Sequence, residues 1–302
     1  MDPQSEISGS PTAWNGITLT MPDNWIPAAI EQRYLLFSRD SHPALEIKWH
    51  RASGSADLPK KQGELVRHLK KMKGFSTDAS AITQQWQAIT ATLQTSLDVQ
   101  AFTHAKGSGA ICVHSPSNTI LVLQVHAPID QYADVIQQIL ASLTVTKSDE
   151  PLKFRMFGLS CELPAGSALV RHSFKPGEFI LEMQSGPFSI CITRLGPANV
   201  VLEGKPFRRW LHSNFGLSLE TFHKDKIILP RGAKKRYHWD YVEEPSLMKR
   251  LFRSSALGKQ QQVRGAAWIV EENNKLVTVE IRSNDPISSS FLETICNNVE
   301  VD

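Results

Sequence analysis

Alternating apolar and polar positions mark short strands from the start of the chain. Residues 16–25, GITLTMPDNW, alternate as far as Pro22, and a proline commonly ends a strand because it cannot donate a ladder hydrogen bond. The segments RYLLFSR and LEIKWHR follow with the same period, and the polar residues between them predict a hairpin.

A helical period replaces this alternation near Lys60. Leu65, Leu69 and Met72 recur every three or four residues, and Gly74 follows as the expected stop. After this helix, WQAITATLQ is predicted as a strand, GAICV and TILVLQV as a hairpin, and QYADVIQQILASL as a second helix. One unit is therefore predicted to run β-β-β-α-β-β-β-α, with the helices covering one face of a mainly antiparallel sheet.

The same order of patterns recurs in the second half of the chain. GLSCELPAGS at 158–167 has the Gly-to-Pro spacing of the opening stretch, and FRRWLHSNFGL at 207–217 aligns with LVRHLKKMKGF at 65–75. The hairpin at 265–281 aligns without a gap with the hairpin at 109–125, and FSICITR aligns with LEIKWHR. Four matches in one order predict a tandem duplication.

The predicted fold class is α+β, with two tandem α/β sandwich units. Residues 1–13 are expected to be a flexible N-terminus, 14–147 the first unit and 152–302 the second. Pro151 and the charged residues of TKSDEPLKFRM mark the short link between them.

The opening strand and its ending resemble the PsbP-like and DcrB-like α/β sandwich group. The strand ends in Pro-x-x-Trp at Pro22 and Trp25, and antiparallel strands, a helix, more strands and a closing helix follow. The second half keeps the proline as Pro164 but has Ser167 in place of the tryptophan. This resemblance implies a non-catalytic binding protein, since the group includes photosystem accessory subunits, a partner of a nuclear-transport GTPase, and chaperones or adaptors of type VI secretion effectors.

Composition is that of a globular protein, with 41% hydrophobic and 21% charged residues. No apolar run approaches the length of a membrane span, and the N-terminal residues lack the basic start and apolar stretch of a secretion signal. The four cysteines have no CxxC spacing, which favours reduced thiols. A cytoplasmic location is therefore expected.

Charge is distributed unequally along the chain. Residues 1–150 carry 12 Lys and Arg against 14 acidic residues, whereas residues 151–302 carry 21 against 16. The basic excess falls in PRGAKKRYHWDY at 230–241 and in the basic amphipathic segment at 245–257. The candidate partner-binding residues are Lys234, Lys235, Arg236, Lys249, Arg250 and Arg253.

Other readings of the same residues are less favoured. Lys234 to Arg236 with Tyr237 and Trp239 have the composition of a nucleic-acid surface at 230–264, but the aromatic residues alternate as one buried strand face. Cys112, His114 and His126 are a candidate metal set that the aligned second-half positions do not retain.

No catalytic motif stands out. Cys161 and Cys191 fall in apolar strands, where burial raises the pKa of a thiol, and no Gly-x-Ser-x-Gly elbow occurs. The preferred interpretation is a non-catalytic module that binds another protein through its basic second unit, without metal or cofactor. The competing class is an enzyme whose site lies in a cleft between the units.

Overall fold

The computed structural model describes residues 9–52, 54, 57–223, 233–243 and 261–302. The chain divides into two compact units, Met1–Ser148 and Asp149–Asp302, and the division falls inside the predicted link. Each unit contains one six-stranded antiparallel sheet.

The first unit is built around an antiparallel sheet in the order β3-β4-β5-β8-β7-β6. Strands β1 and β9 both pair with β2, apart from that sheet. The strands are β1 Gly9–Trp14, β2 Ile17–Pro22, β3 Ile26–Glu31, β4 Tyr34–Arg39, β5 His42–Arg51, β6 Asp98–His104, β7 Gly107–His114, β8 Thr119–Val125 and β9 Thr144–Val145. The helices are α1 Leu58–Leu69, α2 Gln84–Ala91 and α3 Ile129–Ala141.

The second unit has an antiparallel sheet in the order β12-β13-β14-β17-β16-β15, and both β10 and β18 pair with β11. The strands are β10 Leu152–Met156, β11 Leu159–Leu163, β12 Ala168–Lys175, β13 Glu178–Ser185, β14 Phe188–Leu195, β15 Ala233–Glu243, β16 Gln261–Val270, β17 Lys275–Ser283 and β18 Val299–Val301. The helices within the described ranges are α4 Ala198–Leu202, α5 Phe207–Phe215 and α6 Ser289–Asn297. The chain is therefore a mostly antiparallel α+β protein.

The helices cover the sheets with their apolar stripes. In the first unit, Leu58 and Leu69 of α1 pack against Phe102, Ile111 and Val122 of the sheet. In the second unit, α5 packs on β15, β16 and β17 in one hydrophobic cluster. That cluster contains Ala198, Phe207, Trp210, Leu211, Phe222, Tyr237, Trp239, Ala267, Ile269 and Leu276.

The expectation that the strands have one covered face is wrong for the middle of the first sheet. Strand β8 is buried at every position, and β7 at every position but its first. Successive side chains point to opposite faces of a sheet, so both faces of these strands are covered.

The predicted element order is wrong at the start of the unit. Five strands precede α1 rather than three, because β1 and β3 flank the strand that alternation marks. Residues 9–13, expected to be part of a flexible N-terminus, pair with β2, and Ala13 and Trp14 are buried. Residues 1–8 lie outside the described ranges.

The segment WQAITATLQ is a helix and not a strand. Thr83 caps α2 by accepting a hydrogen bond from the backbone N–H of Trp86 at 3.2 Å. Trp86, Ile89 and Thr90 are buried together at helical spacing. The strand expected here is β6, which begins at Asp98.

Candidate functional site

A groove of about 600 Å³ lies beside α5 in the second unit. Helix α5 turns Phe207, Trp210 and Leu211 toward the sheet, which leaves Arg208 and Arg209 on its outer side. The groove, called the α5 groove below, is lined by Pro206, Arg208, Arg209, Leu219, Phe222, His223 and Tyr237.

The floor of the α5 groove is apolar and held by aromatic packing. Phe222 and Tyr237 are buried, whereas Leu219 is exposed for 38% of its surface. The ring of Tyr237 contacts Phe207 edge-on at 5.5 Å, and that of Phe222 contacts Trp239 at 5.7 Å. The floor therefore offers an apolar side chain a firm place to pack.

The charge of the α5 groove is positive and uncompensated. Arg208 donates from Nε and Nη2 to the carbonyl oxygen of Leu219 at 3.0 and 2.6 Å, and this neutral acceptor leaves its charge in place. Neither Arg208 nor Arg209 forms an ion pair with any residue of the described ranges. The wall therefore attracts anionic groups.

The dipole of α5 disfavours arginines in its first turn, and the two hydrogen bonds from Arg208 to Leu219 act against this cost at one of them. Pro206 precedes α5 without a side-chain cap, and the first turn of the helix contains no acidic residue. The amino end of a helix carries partial positive charge, so cations in the first turn are slightly destabilising.

The far wall of the α5 groove is fixed to β15 by a short bridge. The backbone N–H of His223 donates to the carbonyl of His238 at 2.9 Å, and the N–H of His238 donates back at 3.1 Å. His223 thereby lies beside Tyr237, which belongs to the same strand as His238.

None of the predicted partner-binding residues that the structure describes lines the α5 groove. Lys235 and Arg236 are exposed in β15, where the pairing register shifts between Lys234 and Tyr237. Consecutive side chains do not alternate strictly between the two faces at such an irregularity, and Lys235 and Arg236 are both exposed. The side chain of Lys234, and Lys249, Arg250 and Arg253, lie outside the described residues.

A second polar cluster lies in the first unit. His126 contacts Glu46 between Nε2 and Oε2 at 3.1 Å, and Lys48 contacts the other carboxylate oxygen at 2.6 Å. The hydrogen bond from His126, with a further contribution from Lys48, lowers the pKa of Glu46 to about 2. This carboxylate stays ionised at neutral pH.

His104 lies next to this cluster and is almost fully buried. Its ring is 6.4 Å from that of His126, and Nδ1 accepts a hydrogen bond from the backbone N–H of Lys106 at 3.3 Å. Nε2 is buried without a hydrogen-bond partner. Burial, and then the charge of His126, lowers the pKa of His104, so the ring is held neutral.

The candidate metal set does not come together. His114 pairs with Thr119 at one end of the β7–β8 hairpin, whereas His126 follows Val125, which pairs with Ser108 at the other end. His114 Nδ1 lies 2.7 Å from Ser117 Oγ instead. Across the described residues, no group of three His, Cys, Asp or Glu side chains is arranged to hold a metal ion.

The cysteines lack the surroundings of a reactive thiolate. Burial raises the pKa of the Cys112 and Cys161 thiols to about 12, and it also raises the pKa values of Cys191 and Cys296. A thiol that stays protonated at neutral pH is a poor nucleophile.

Fold and groove together define the class of protein: a mostly antiparallel α+β chain of two compact units, one of which has a basic groove over an aromatic floor. Comparison of the sequence with models of known protein families and with curated proteins finds no match. Among the helices that the structure describes, none is both long and apolar enough to cross a membrane.

Proposed function

We propose that the protein is a non-catalytic module that binds an acidic segment of another protein in the α5 groove. The observation that carries the proposal is the pair of exposed arginines, Arg208 and Arg209, that face no carboxylate within the described ranges above a floor of Phe222 and Tyr237. Carboxylates on the partner would complement the wall, and an apolar side chain would pack on the floor.

We further propose that the two units are copies of one α+β sandwich. Adding nine to each strand number of the first sheet order gives the second sheet order. Two turns support this proposal in detail. The first turn contains Gly16 in one unit and Gly158 in the other, both with positive φ. The carbonyl of Gly16 accepts a hydrogen bond from the backbone N–H of Thr146 at 2.9 Å, and that of Gly158 accepts one from the backbone N–H of Asp302 at 3.0 Å.

The second supporting turn is centred on asparagine. Asn118 and Asn274 both have a φ of 51°, and they follow β7 and β16 in the sequence. The carbonyl of Asn118 accepts from the backbone N–H of Ala52 at 2.7 Å, and that of Asn274 accepts from Ala198 at 2.6 Å. Two copies of one ancestral unit account for equal contacts at these places.

A duplicated sandwich fits the PsbP-like and DcrB-like resemblance, whose members act chiefly by binding, and its four cysteines have raised thiol pKa values. Within the described residues, each unit runs β-β-β-β-β, two helices, β-β-β, helix, β. We place the protein in the cytoplasm, because all four cysteines are free thiols.

Nucleic-acid binding through 230–264 is a poorer proposal. Aromatic side chains must be exposed to stack on bases. Trp239 is fully buried and Tyr237 is 9% exposed, so neither ring presents the open face on which a base stacks.

Charge reversal in the α5 groove tests the proposal. The ligand is a short fluorescein-labelled polyglutamate peptide with one central phenylalanine, called the acidic probe. Fluorescence anisotropy at low ionic strength should give a Kd about tenfold weaker for R208E/R209E than for the unaltered chain, since rim charges at protein surfaces contribute on the order of 1 kcal/mol.

The control variant is K153E/K175E, which changes the net charge equally. Lys153 and Lys175 are exposed at 58% and 70% in the same unit and only approach carboxylates at 3.6 and 3.9 Å. We expect the control to bind the acidic probe within about twofold of the unaltered chain. An equal loss of affinity for the acidic probe in both variants would show that net charge alone attracts the probe, and it would refute the proposal.

A further inference from the structure

A smaller groove of about 420 Å³ lies along α1 in the first unit. Its lining, called the α1 groove below, consists of Pro59, Gln62, Gly63, Val66, Arg67 and Lys70. These positions recur every three or four residues, so they form one stripe along the helix. Leu58 and Leu69 face the sheet, and Val66 packs partly on the same core, whereas Arg67 and Lys70 are exposed.

The α1 groove, like the α5 groove, is lined by basic side chains of a helix whose first turn contains no acidic residue. Lys60 and Lys61 occupy the first turn of α1, where no acidic residue is present. Glu64 is the acidic residue of the helix, and its carboxylate is held by Lys61 at 3.2 Å. Arg67 and Lys70 are exposed and form no ion pair with the residues that the structure describes.

The sequence alignment matches one cation of the α1 groove with one cation of the α5 groove. In the alignment of 65–75 with 207–217, Arg67 corresponds to Arg209 and Lys70 to His212. Leu69 and Leu211 also correspond, and both are buried against their own sheets. Each helix therefore turns its basic side outward from an equivalent anchor.

We propose that the α1 groove is a second docking site for acidic protein segments, so that the chain is bivalent. This inference rests on the proposed function of the α5 groove, because it takes the ligand chemistry from there. Pro59 and the half-buried Val66 are the apolar side chains of the α1 groove, whose lining contains no aromatic residue. The α1 groove should therefore bind the acidic probe about tenfold more weakly than the α5 groove.

Isothermal titration of the full chain with the acidic probe tests the inference. The unaltered protein should bind two probes in two phases of unequal affinity. R67E/K70E should lose the weak phase and keep the tight phase, whereas R208E/R209E should lose the tight phase and keep the weak one. K153E/K175E should retain both phases, and a lysine peptide with one phenylalanine should give no heat of binding to any variant.

The outcomes separate this inference from the proposed function. One bound probe in the unaltered chain, or an unchanged weak phase in R67E/K70E, would overturn the α1 groove while leaving the α5 groove intact. An unchanged tight phase in R208E/R209E would overturn the proposed function itself. Circular dichroism of each variant should match that of the unaltered chain, since all six altered side chains are exposed.

Discussion

The indole of Trp239 lies directly against the backbone of Gly265 on the neighbouring strand. The two residues are paired between β15 and β16, and a Cβ on Gly265 would lie 2.3 Å from Cζ2 of the indole. Trp239 is fully buried, with Phe215 at 4.7 Å on its other side. Only glycine leaves room for this ring, on which the α5 groove is built.

Gly265→Ala should therefore destabilise the second unit by about 2–3 kcal/mol, because overpacking a filled core forces side chains and backbone to shift. Urea unfolding followed by tryptophan fluorescence measures the change. Gly63→Ala in α1 is the matched control, since no atom lies within 4 Å of its added Cβ and alanine favours a helix. Equal unfolding midpoints for the two variants would contradict the packing described.

The left-handed backbone conformation of Asn118 predicts how substitutions there change the free energy of unfolding. Its φ is 51°, which glycine adopts freely and alanine adopts at a cost of about 1 kcal/mol. Asn118→Ala should lower the free energy of unfolding by about that amount, and Asn118→Gly should change it by less than about 0.5 kcal/mol.

The corresponding turn in the second unit should respond differently. Asn274 Nδ2 donates to Asn199 Oδ1 at 2.6 Å, and Asn274 Oδ1 accepts from the backbone N–H of Asn199 at 3.1 Å. Asn274→Gly should therefore cost about 1 kcal/mol through these lost hydrogen bonds. Chemical denaturation of the two glycine variants compares them, and equal stabilities would refute the added role of the Asn274 side chain.

The first unit should lose stability in two steps as pH falls. Burial lowers the folded-state pKa of His104 below its usual 6.5, so the unfolded chain takes up a proton near that pH that the folded chain does not. Lys106, His126 and Glu46 are the charged or titratable groups around it. The pKa of Glu46 is about 2 in the folded chain against 4.5, so its contribution is complete above pH 4.5 and is lost toward pH 2.

Thermal unfolding between about pH 8 and pH 3 measures both steps. His104→Gln should reduce the loss of stability that begins near pH 6.5, and Glu46→Gln should remove the loss below pH 4.5. A melting temperature of the unaltered first unit that stays level across this range would contradict the buried, neutral state of His104.

The sequence correctly predicted those elements whose hydrophobic periodicity fits only one type of secondary structure. Tyr237, Trp239 and Tyr241 alternate, and β15 forms there with its aromatic residues turned to the core. The segment at 86–94 fits two periods, and the cap from Thr83 decides for a helix. Strand β3 escaped notice because Pro27 interrupts it and Ile26 is exposed.

The sequence alignment of LEIKWHR with FSICITR differs by two residues from the correspondence that strand pairing gives. Leu45 lies opposite Val125, and Ile190 lies opposite Ile281. The gapless hairpin alignment matches Val125 with Ile281, so Leu45 corresponds to Ile190 and not to Phe188. A shift of two residues keeps every side chain on its own face, and alternation therefore cannot detect it.

The number of basic residues along the sequence does not predict the position of the α5 groove. Arg208 and Arg209 gain their position from α5, whereas Tyr237 and His223 come from other elements that folding brings to it. The one local signal was a pair of arginines in the first turn of a helix preceded by Pro206, where acidic residues are favourable.

Amide chemical shifts of the isotope-labelled full chain, recorded during titration with the acidic probe, test the central claim most directly. The account predicts that the largest shifts in the second unit fall on Arg208, Arg209, His223 and Tyr237, and that Lys153 and Lys175 are unaffected. Largest shifts around Lys153 and Lys175, or no shifts in the α5 groove at probe saturation, would contradict it.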